Sequence, residues 1–258
     1  MEIQFQGRLV KASSYCAASV ENTVVPRGNV TRFSRKSRKR LIEYCNRLDA
    51  KFKGRTVFIT LTYPYLQTDH QAAKRHLSNM LKRLQRWGAT TIIWRMEYQD
   101  NGSIHFHLIC FGLPWLPFDD LKMMWRGVID YPDSALFVRI QRITSMRMLL
   151  GYVSKYIAKL PTLLDIEPYP AVFIGRFWGI VGRKYAPLAD LYRFVVHNIV
   201  DFWSFRRYVR RYYSIKTGKA RAPTGFTLFT SDAYRWLDLY LSTCSQNVCS
   251  AYAKLNRA

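Results

Sequence analysis

Two apolar stretches, separated by a short segment that favours a turn, constrain this fold more than any other feature of the sequence. TTIIWRMEYQ (90–99) and SIHFHLICFG (103–112) are rich in β-branched and aromatic residues, which are typical of strands. The residues Asp-Asn-Gly (100–102) between them suit a three-residue hairpin loop with glycine in the left-handed conformation. The sequence therefore predicts a β-hairpin in which Gln99 pairs with Ser103.

The predicted register places one carboxylate beside two histidines. Successive side chains of a strand point to opposite faces, so His105 and His107 share a face. Counting back from the loop pairs Glu97 with His105, and directly opposed side chains also share a face. Two imidazoles and a carboxylate suit a divalent ion such as Mg²⁺ or Mn²⁺, and can also take Zn²⁺. A His-x-His pair is also common in packing or surface positions, so the metal assignment depends on further residues.

The hairpin lies within an alternation of strand-like and helix-like segments. Further strands are predicted over 55–64 and 135–143. Helices are predicted over 69–87, 118–127 and 145–160, the last with Ser145 as its N-cap. The order β-α-β-β-α-β-α is typical of a ferredoxin-like antiparallel sheet with flanking helices. We therefore expect an α+β fold class.

The last of these helices carries two tyrosines and two lysines at helical spacing. Tyr152 and Tyr156 share one helical face, and Lys155 and Lys159 repeat the same spacing beside them. Tyrosines so spaced are usually packing residues, and a phenol is a weak nucleophile at neutral pH because its pKa is about 10. A neighbouring ammonium and a metal-polarised phosphodiester would nevertheless favour attack. We interpret Tyr152, Tyr156 and Lys155 as candidate catalytic residues, and Lys159 as a DNA contact.

The charge balance of the chain points to nucleic acid. Forty Lys and Arg oppose 17 Asp and Glu, which gives a formal net charge of +23 and concerns partners rather than fold. A hydrophobic content of 49% is too high for a disordered basic tail. No apolar run reaches the roughly 18 residues of a membrane-spanning helix, so no membrane partner is expected. Five scattered cysteines are typical of a reducing compartment, so we expect a cytoplasmic protein.

Composition divides the chain into three segments. A basic N-terminal arm is expected over residues 1–50, the α+β domain over 51–165, and a mainly helical, basic and aromatic-rich accessory region over 166–258. In FWSFRRYVRRYY (202–213), the arginines and aromatic rings either bind single-stranded DNA or form an ordinary amphipathic helix. DNA contacts are predicted for the arginines Arg95, Arg206, Arg207, Arg210 and Arg211.

Three segments together resemble the motifs of the HUH endonucleases, in particular the two-tyrosine rolling-circle replication initiators of small single-stranded DNA phages and plasmids. VFITLTYP (57–64) is similar to the first motif, a strand with hydroxyls near its end. IHFHLICFG (104–112) resembles the His-hydrophobe-His second motif, and YVSKYIAK (152–159) resembles the third. The resemblance covers about residues 55–160 and keeps both the order and the spacing of the motifs.

The resemblance implies a mechanism. A divalent ion held by His105, His107 and Glu97 would bind the scissile phosphate of a single-stranded origin. One tyrosine would attack, keep the 5′ end covalently and release a 3′ hydroxyl that primes synthesis. Tyr152 is expected to make the first cut and Tyr156 the second. Lys155 would either orient the phosphate or activate the phenol.

The resemblance also implies partners, and it leaves other functions open. The sequence holds no G-x-x-x-x-G-K-[ST] motif, so we expect no use of ATP, and a helicase and a DNA polymerase supplied by the host. The same chemistry would also serve a transposase or a relaxase. A further alternative is a non-catalytic nucleic-acid-binding protein in which the histidine pair is structural.

Overall fold

The computed structural model describes most of the chain and has an α+β architecture. The described residues are 2–13, 30, 33–49, 55–132, 138–157, 174–196, 199–217, 226–243 and 253–254. They form two antiparallel sheets of five strands each, together with six α-helices.

The strands are, in chain order, β1 (Glu2–Gln6), β2 (Leu9–Ser13), β3 (Thr56–Thr62), β4 (Thr91–Tyr98), β5 (Ile104–Phe111), β6 (Val138–Arg142), β7 (Trp178–Val181), β8 (Leu191–Val195), β9 (Phe226–Phe229) and β10 (Ala253–Lys254). The helices are α1 (Arg35–Asn46), α2 (His70–Arg86), α3 (Phe118–Ile129), α4 (Met146–Tyr152), α5 (Ile199–Thr217) and α6 (Ala233–Thr243). A π-helical turn (Val153–Ile157) follows α4, and a 3₁₀ turn (Arg183–Tyr185) follows β7.

The chain divides into two compact units, each with its own sheet. The central unit comprises Pro26–Cys45 and Lys51–Pro187, and the terminal unit comprises Met1–Val25, Asn46–Ala50 and Leu188–Ala258. The boundaries expected from composition are therefore wrong, because the terminal unit combines strands from both ends of the chain.

The sheet of the central unit has the strand order β6-β3-β5-β4-β7, and alternation along its strands gives it two different faces. On β4, Trp94 and Tyr98 face α2. The Lys74 ammonium lies 4.7 Å from the Trp94 ring centroid, and His70 Nε2 lies 2.5 Å from the Tyr98 hydroxyl. The buried stripe of α2 consists of Ala73, Leu77, Met80, Leu81 and Leu84. Glu97, which alternates with these β4 residues, belongs to the opposite face.

The predicted hairpin is confirmed together with its register. Gln99 donates its backbone N–H to the Ser103 carbonyl at 2.8 Å, and Gly102 has a φ of 83°. That conformation is one that glycine adopts without steric cost. In the paired strands, Glu97 lies opposite His105. The loop therefore sets the alignment of β4 with β5, and the alignment decides which side chains meet.

Helix α4 begins as the sequence predicts. The Ser145 side chain accepts a hydrogen bond from the Met148 N–H, which satisfies one of the unpaired donors at the start of the helix. The segment predicted as one helix over 145–160 changes to a π-helical turn after Tyr152. Residues 158–160 lie outside the described part of the chain.

The terminal unit is built on a sheet with the order β10-β8-β1-β2-β9. Phe5 on β1 contacts three aromatic rings, with centroids 6.0 Å from Phe194 on β8, 5.9 Å from Phe205 on α5 and 5.8 Å from Tyr240 on α6. Helices α5 and α6 thus pack on the sheet around a buried aromatic core.

The structure corrects the expected character of both ends of the chain. Residues 1–50 do not form one basic arm, because Glu2–Gln6 and Leu9–Ser13 pair as strands around a short loop at Gly7. The C-terminal segment, expected to be mainly helical, also supplies β8, β9 and β10. These strands are too short to stand out in the sequence. No helix in the described part of the chain combines the length and hydrophobicity that a membrane span requires.

Candidate metal centre and tyrosine pair

The hairpin brings together three potential metal ligands, which we call the candidate metal centre: Glu97, His105 and His107. The Nε2 atoms of the two histidines are 3.0 Å apart, and Glu97 Oε2 lies 3.2 Å from His107 Nε2 and 3.8 Å from His105 Nε2. One potential ligand atom from each residue lies within 4.8 Å of the other two. The predicted register thus places the predicted residues together, and this buried group can bind a metal ion.

Burial and hydrogen bonding set the charges in the candidate metal centre. Burial alone would raise the pKa of Glu97, but hydrogen bonds from His105 and His107 outweigh it and hold that pKa well below its usual range. Burial lowers the pKa of His107, although the Glu97 carboxylate opposes that change. An ionised carboxylate beside an imidazole that tends to stay neutral is the donor set that a divalent cation requires.

Thr60 supports one of the two histidines from behind. Its hydroxyl Oγ1 lies 3.2 Å from His107 Nδ1, and Thr60 stands directly opposite His107 in the pairing of β3 with β5. The contact engages Nδ1 and leaves Nε2 directed towards Glu97. A hydrogen bond of this kind fixes the tautomer and the orientation of a metal-binding imidazole.

Phe58, two residues before Thr60, forms an aromatic support for the tyrosine pair. Its ring stacks on Tyr152 at a centroid distance of 4.4 Å and an interplanar angle of 15°. The same ring lies 5.3 Å from Tyr156 and 5.6 Å from His107. One buried phenylalanine therefore contacts both candidate nucleophiles and one candidate metal ligand.

The two tyrosines have different surroundings. Tyr152 donates its hydroxyl hydrogen to Gln141 Oε1 on β6. Tyr156 lies in the π-helical turn, with its ring centroid 5.0 Å from that of His107 and the Lys155 ammonium 5.0 Å from its ring. The structure thus brings the predicted catalytic residues against the candidate metal centre, with Tyr156 in ring contact with His107.

Sequence reasoning missed Phe58, Thr60 and Gln141. Phe58 and Thr60 alternate along β3 as the histidines alternate along β5, which is a signal that they share a face. The pairing of β3 with β5 is not local in sequence, however, and no loop length fixes its register. Gln141 lies on β6, which pairs with β3 from the other side.

The predicted DNA contacts fall in different environments. Arg95 is only 1% exposed, and its guanidinium carbon lies 3.8 Å from the Phe33 ring centroid, so Arg95 is a packing residue in this structure and not a surface contact. Lys159 lies outside the described residues. The predicted arginines of the terminal unit lie along α5, where Arg206 is half-buried and the others are exposed: Arg207, Arg210 and Arg211.

Residues 56–161 match the model of a family of replication-associated proteins of the ORF2 type. The matched segment contains the candidate metal centre, both tyrosines, and the supporting residues Phe58, Thr60 and Gln141. The family is thus one of proteins associated with replication, and the match lies where the sequence resembles rolling-circle initiators.

A particular relative agrees with the family match. Over 209 residues the chain is 28% identical to a replication-associated protein of Pseudomonas phage Pf3, an alignment that covers 72% of this chain and 71% of the phage protein. No solved structure matches the chain. Together, the family model and the phage relative support the resemblance to a phage initiator of the rolling-circle type.

Proposed function

We propose that this protein initiates rolling-circle replication by nicking and joining single-stranded DNA at an origin, through a 5′-phosphotyrosine intermediate. The observation that carries the proposal is the contact between the tyrosine pair and the candidate metal centre. Two phenols rest on Phe58, and the same ring contacts His107. A structural histidine pair alone would not account for two stacked tyrosines and a lysine at this place.

The residues present fit a divalent cation. Glu97 supplies a carboxylate oxygen, and His105 and His107 supply Nε2 atoms that face one another. Mg²⁺ or Mn²⁺ suits this set, and Zn²⁺ also suits it. A bound cation would provide electrostatic stabilisation of the charge that develops on the scissile phosphate.

The chain's own residues would perform the covalent step. The phenolic oxygen of one tyrosine forms a bond with phosphorus while the bond from phosphorus to the 3′ oxygen breaks. The phenol loses its proton to solvent, and the departing 3′ oxygen takes up a proton to become a free hydroxyl. Lys155 lies beside Tyr156, where its ammonium can pair with a phosphate oxygen. The total number of phosphoester bonds is unchanged, so the step needs no ATP.

Two tyrosines allow the reaction to be repeated. We assign the first cut to Tyr152, whose hydroxyl is oriented by Gln141, and the second cut to Tyr156. In the joining step, the free 3′ hydroxyl attacks the phosphotyrosine and releases the phenol. Because both rings lie on Phe58, either phenol can reach the same phosphate without a large movement of the backbone.

The proposal includes the fold and the partners of an HUH endonuclease. The order β3-α2-β4-β5-α3-β6 within one antiparallel sheet supports a ferredoxin-like arrangement. Single-stranded origin DNA is the proposed substrate, and the host's helicase and DNA polymerase, acting in the host cytoplasm, are the proposed partners.

The test is formation of a covalent adduct. The protein is incubated with labelled single-stranded oligonucleotides from its own replicon, with Mn²⁺ or with EDTA, and then resolved on denaturing SDS gels. We expect a shifted band with Mn²⁺ that is absent with EDTA, and peptide mapping should locate the DNA on Tyr152 or Tyr156. DNA binding without any adduct on any origin fragment would favour the non-catalytic alternative.

Histidine variants sharpen the test. His105→Ala and His107→Ala should abolish the adduct and leave DNA binding within a few-fold of the wild type. His76→Ala is the matched control, because His76 belongs to the same unit but bonds the Tyr63 hydroxyl at 3.1 Å instead of joining the candidate metal centre. An undiminished adduct in either of the first two variants would refute the metal assignment.

A further inference from the structure

One face of α5 in the terminal unit presents a tryptophan among arginines, which we call the α5 cleft: Trp203, Arg206, Arg207 and Arg210. Their spacing of three, four and seven residues places these side chains on one side of the helix. Together they line a cleft of about 350 Å³. This volume lies within the range of about 300–1,000 Å³ that is typical of sites for small ligands.

Core packing does not account for Trp203. The residues of α5 that fill the core of the terminal unit are Phe202, Phe205 and Val209. Trp203 is 47% exposed, and the Arg206 guanidinium carbon lies 4.7 Å from its ring centroid. The cation–π contact holds the indole in place and leaves a large aromatic surface in contact with solvent.

The charge of α5 selects an anionic ligand. The helix contains five basic residues and one acidic residue, Asp201, which is buried at its first turn. Arg207, Arg210 and Arg211 are exposed. A guanidinium binds phosphate through paired hydrogen bonds, and an exposed indole stacks on a planar base. In a duplex the faces of the bases are covered by their neighbours, so this combination favours an unpaired strand.

We infer that the α5 cleft binds single-stranded DNA, with a base stacked on Trp203 and phosphates paired with Arg207 and Arg210. The inference rests on the proposed function for the identity of the strand. The cleft lies outside residues 56–161, so the family match does not assign it. It gives the terminal unit its own contact with the strand and tolerates any base, because every base has an aromatic face.

The test is binding of the full-length protein to a fluorescein-labelled oligo(dT) of about 15 nucleotides, measured by fluorescence anisotropy in EDTA, which prevents cleavage. Trp203→Ala should weaken binding about tenfold, the effect expected from the loss of one stacked base. Trp203→Phe keeps an aromatic face and should retain most of the affinity.

Trp115→Ala is the matched control. Trp115 is 48% exposed and also lies under an arginine, with the Arg142 guanidinium carbon 5.3 Å from its ring centroid, but it belongs to the central unit and is not among the residues that line the α5 cleft. The affinity of this variant for oligo(dT) should equal that of the wild type. Equal losses in Trp115→Ala and Trp203→Ala, or no loss in Trp203→Ala, would overturn the inference.

Salt dependence tests the phosphate contacts separately. Replacing Arg207 and Arg210 by Gln should flatten the slope of log K against log salt by about 1.4, or about 0.7 for each phosphate that is no longer neutralised. An unchanged slope contradicts the proposed pairing. Tighter binding of oligo(rU) than of oligo(dT), or equal competition by polyglutamate, would assign the cleft to RNA or to an acidic protein instead.

The adduct assay distinguishes failure of this inference from failure of the proposed function. Normal adduct formation together with unchanged affinity of Trp203→Ala overturns the α5 cleft alone. Oligo(dT) binding that depends on Trp203, in a protein that forms no adduct on any origin fragment, overturns the nicking function and supports the cleft.

Discussion

Replacing Thr60 by valine should weaken metal binding, although Thr60 is not a ligand. The Thr60 hydroxyl lies 3.2 Å from His107 Nδ1. A histidine binds a metal through the ring nitrogen that carries no proton, so the proton must lie on Nδ1 when Nε2 faces the cation. Thr60 Oγ1 is the acceptor for that proton. Valine has nearly the same shape as threonine and offers no acceptor.

The size of the effect follows from the surroundings of His107. Loss of a partner of this kind typically lowers metal affinity by about 10- to 100-fold. His107 is 4% exposed, so water has little access to replace the missing acceptor. Phe58 still stacks on the imidazole and limits its rotation. We therefore expect the lower end of the range, about tenfold, which corresponds to about 1.4 kcal/mol.

The assay is a Mn²⁺ titration of adduct yield, supported by calorimetric Mn²⁺ binding without DNA. The midpoint for Thr60→Val should rise about tenfold, and saturating Mn²⁺ should restore the yield. Thr60→Ser keeps the hydroxyl and should behave as the wild type.

Thr62→Val is the matched control for this prediction. Thr62 lies on the same face of β3 and stands opposite His105 in the register. His105 Nδ1 has no hydrogen-bond partner among the described residues, so the Thr62 hydroxyl does not support that ring. An unchanged midpoint in Thr60→Val, or an equal shift in Thr62→Val, would refute the role that we assign to Thr60.

Three further predictions follow from the central unit. Phe58→Leu should lower the free energy of unfolding in urea by about 1 kcal/mol, because Phe58 is 1% exposed and leucine fills most of its volume; adduct formation should fall further, because both tyrosines lose their stacking partner. Gln141→Leu removes the acceptor of the Tyr152 hydroxyl, and peptide mapping should show fewer adducts at Tyr152 relative to Tyr156; an unchanged ratio contradicts this role. Burial, and then the nearby Arg95 charge, lower the pKa of Lys74 to about 7. Unfolding therefore takes up protons above that pH, and the free energy of unfolding should rise from about pH 7 to about pH 9; Lys74→Met should flatten that rise, and an equal rise in this variant would contradict it.

Sequence reasoning was accurate where contacts are local. The loop at 100–102 fixes the register of β4 with β5, and period-two alternation then determines that Glu97 and His105 share a face. The same argument could not reach Thr60 or Phe58, because β3 pairs with β5 across about 45 residues of intervening chain, and many registers are compatible with apolar strands.

Two other differences have different physical causes. Arg95 was predicted to contact DNA because arginine on a basic protein is usually exposed, but aromatic stacking on Phe33 gives its guanidinium a buried environment. The second sheet was missed because β8 and β9 have only five and four residues, and their partners lie near the other end of the chain. Pairing at such a distance leaves no local signal in the sequence.

The joining of both chain ends in the terminal sheet has a consequence during synthesis. In that sheet β1 pairs with β8, so Glu2 stands opposite Val195. At about 5–20 residues per second, a ribosome needs roughly 10 to 40 seconds to make the chain between these strands. During that interval the central unit can complete its sheet, while β1 and β2 have no partner strand and expose pairing edges. Nascent chains should therefore be most vulnerable to aggregation and to chaperone capture through their first residues.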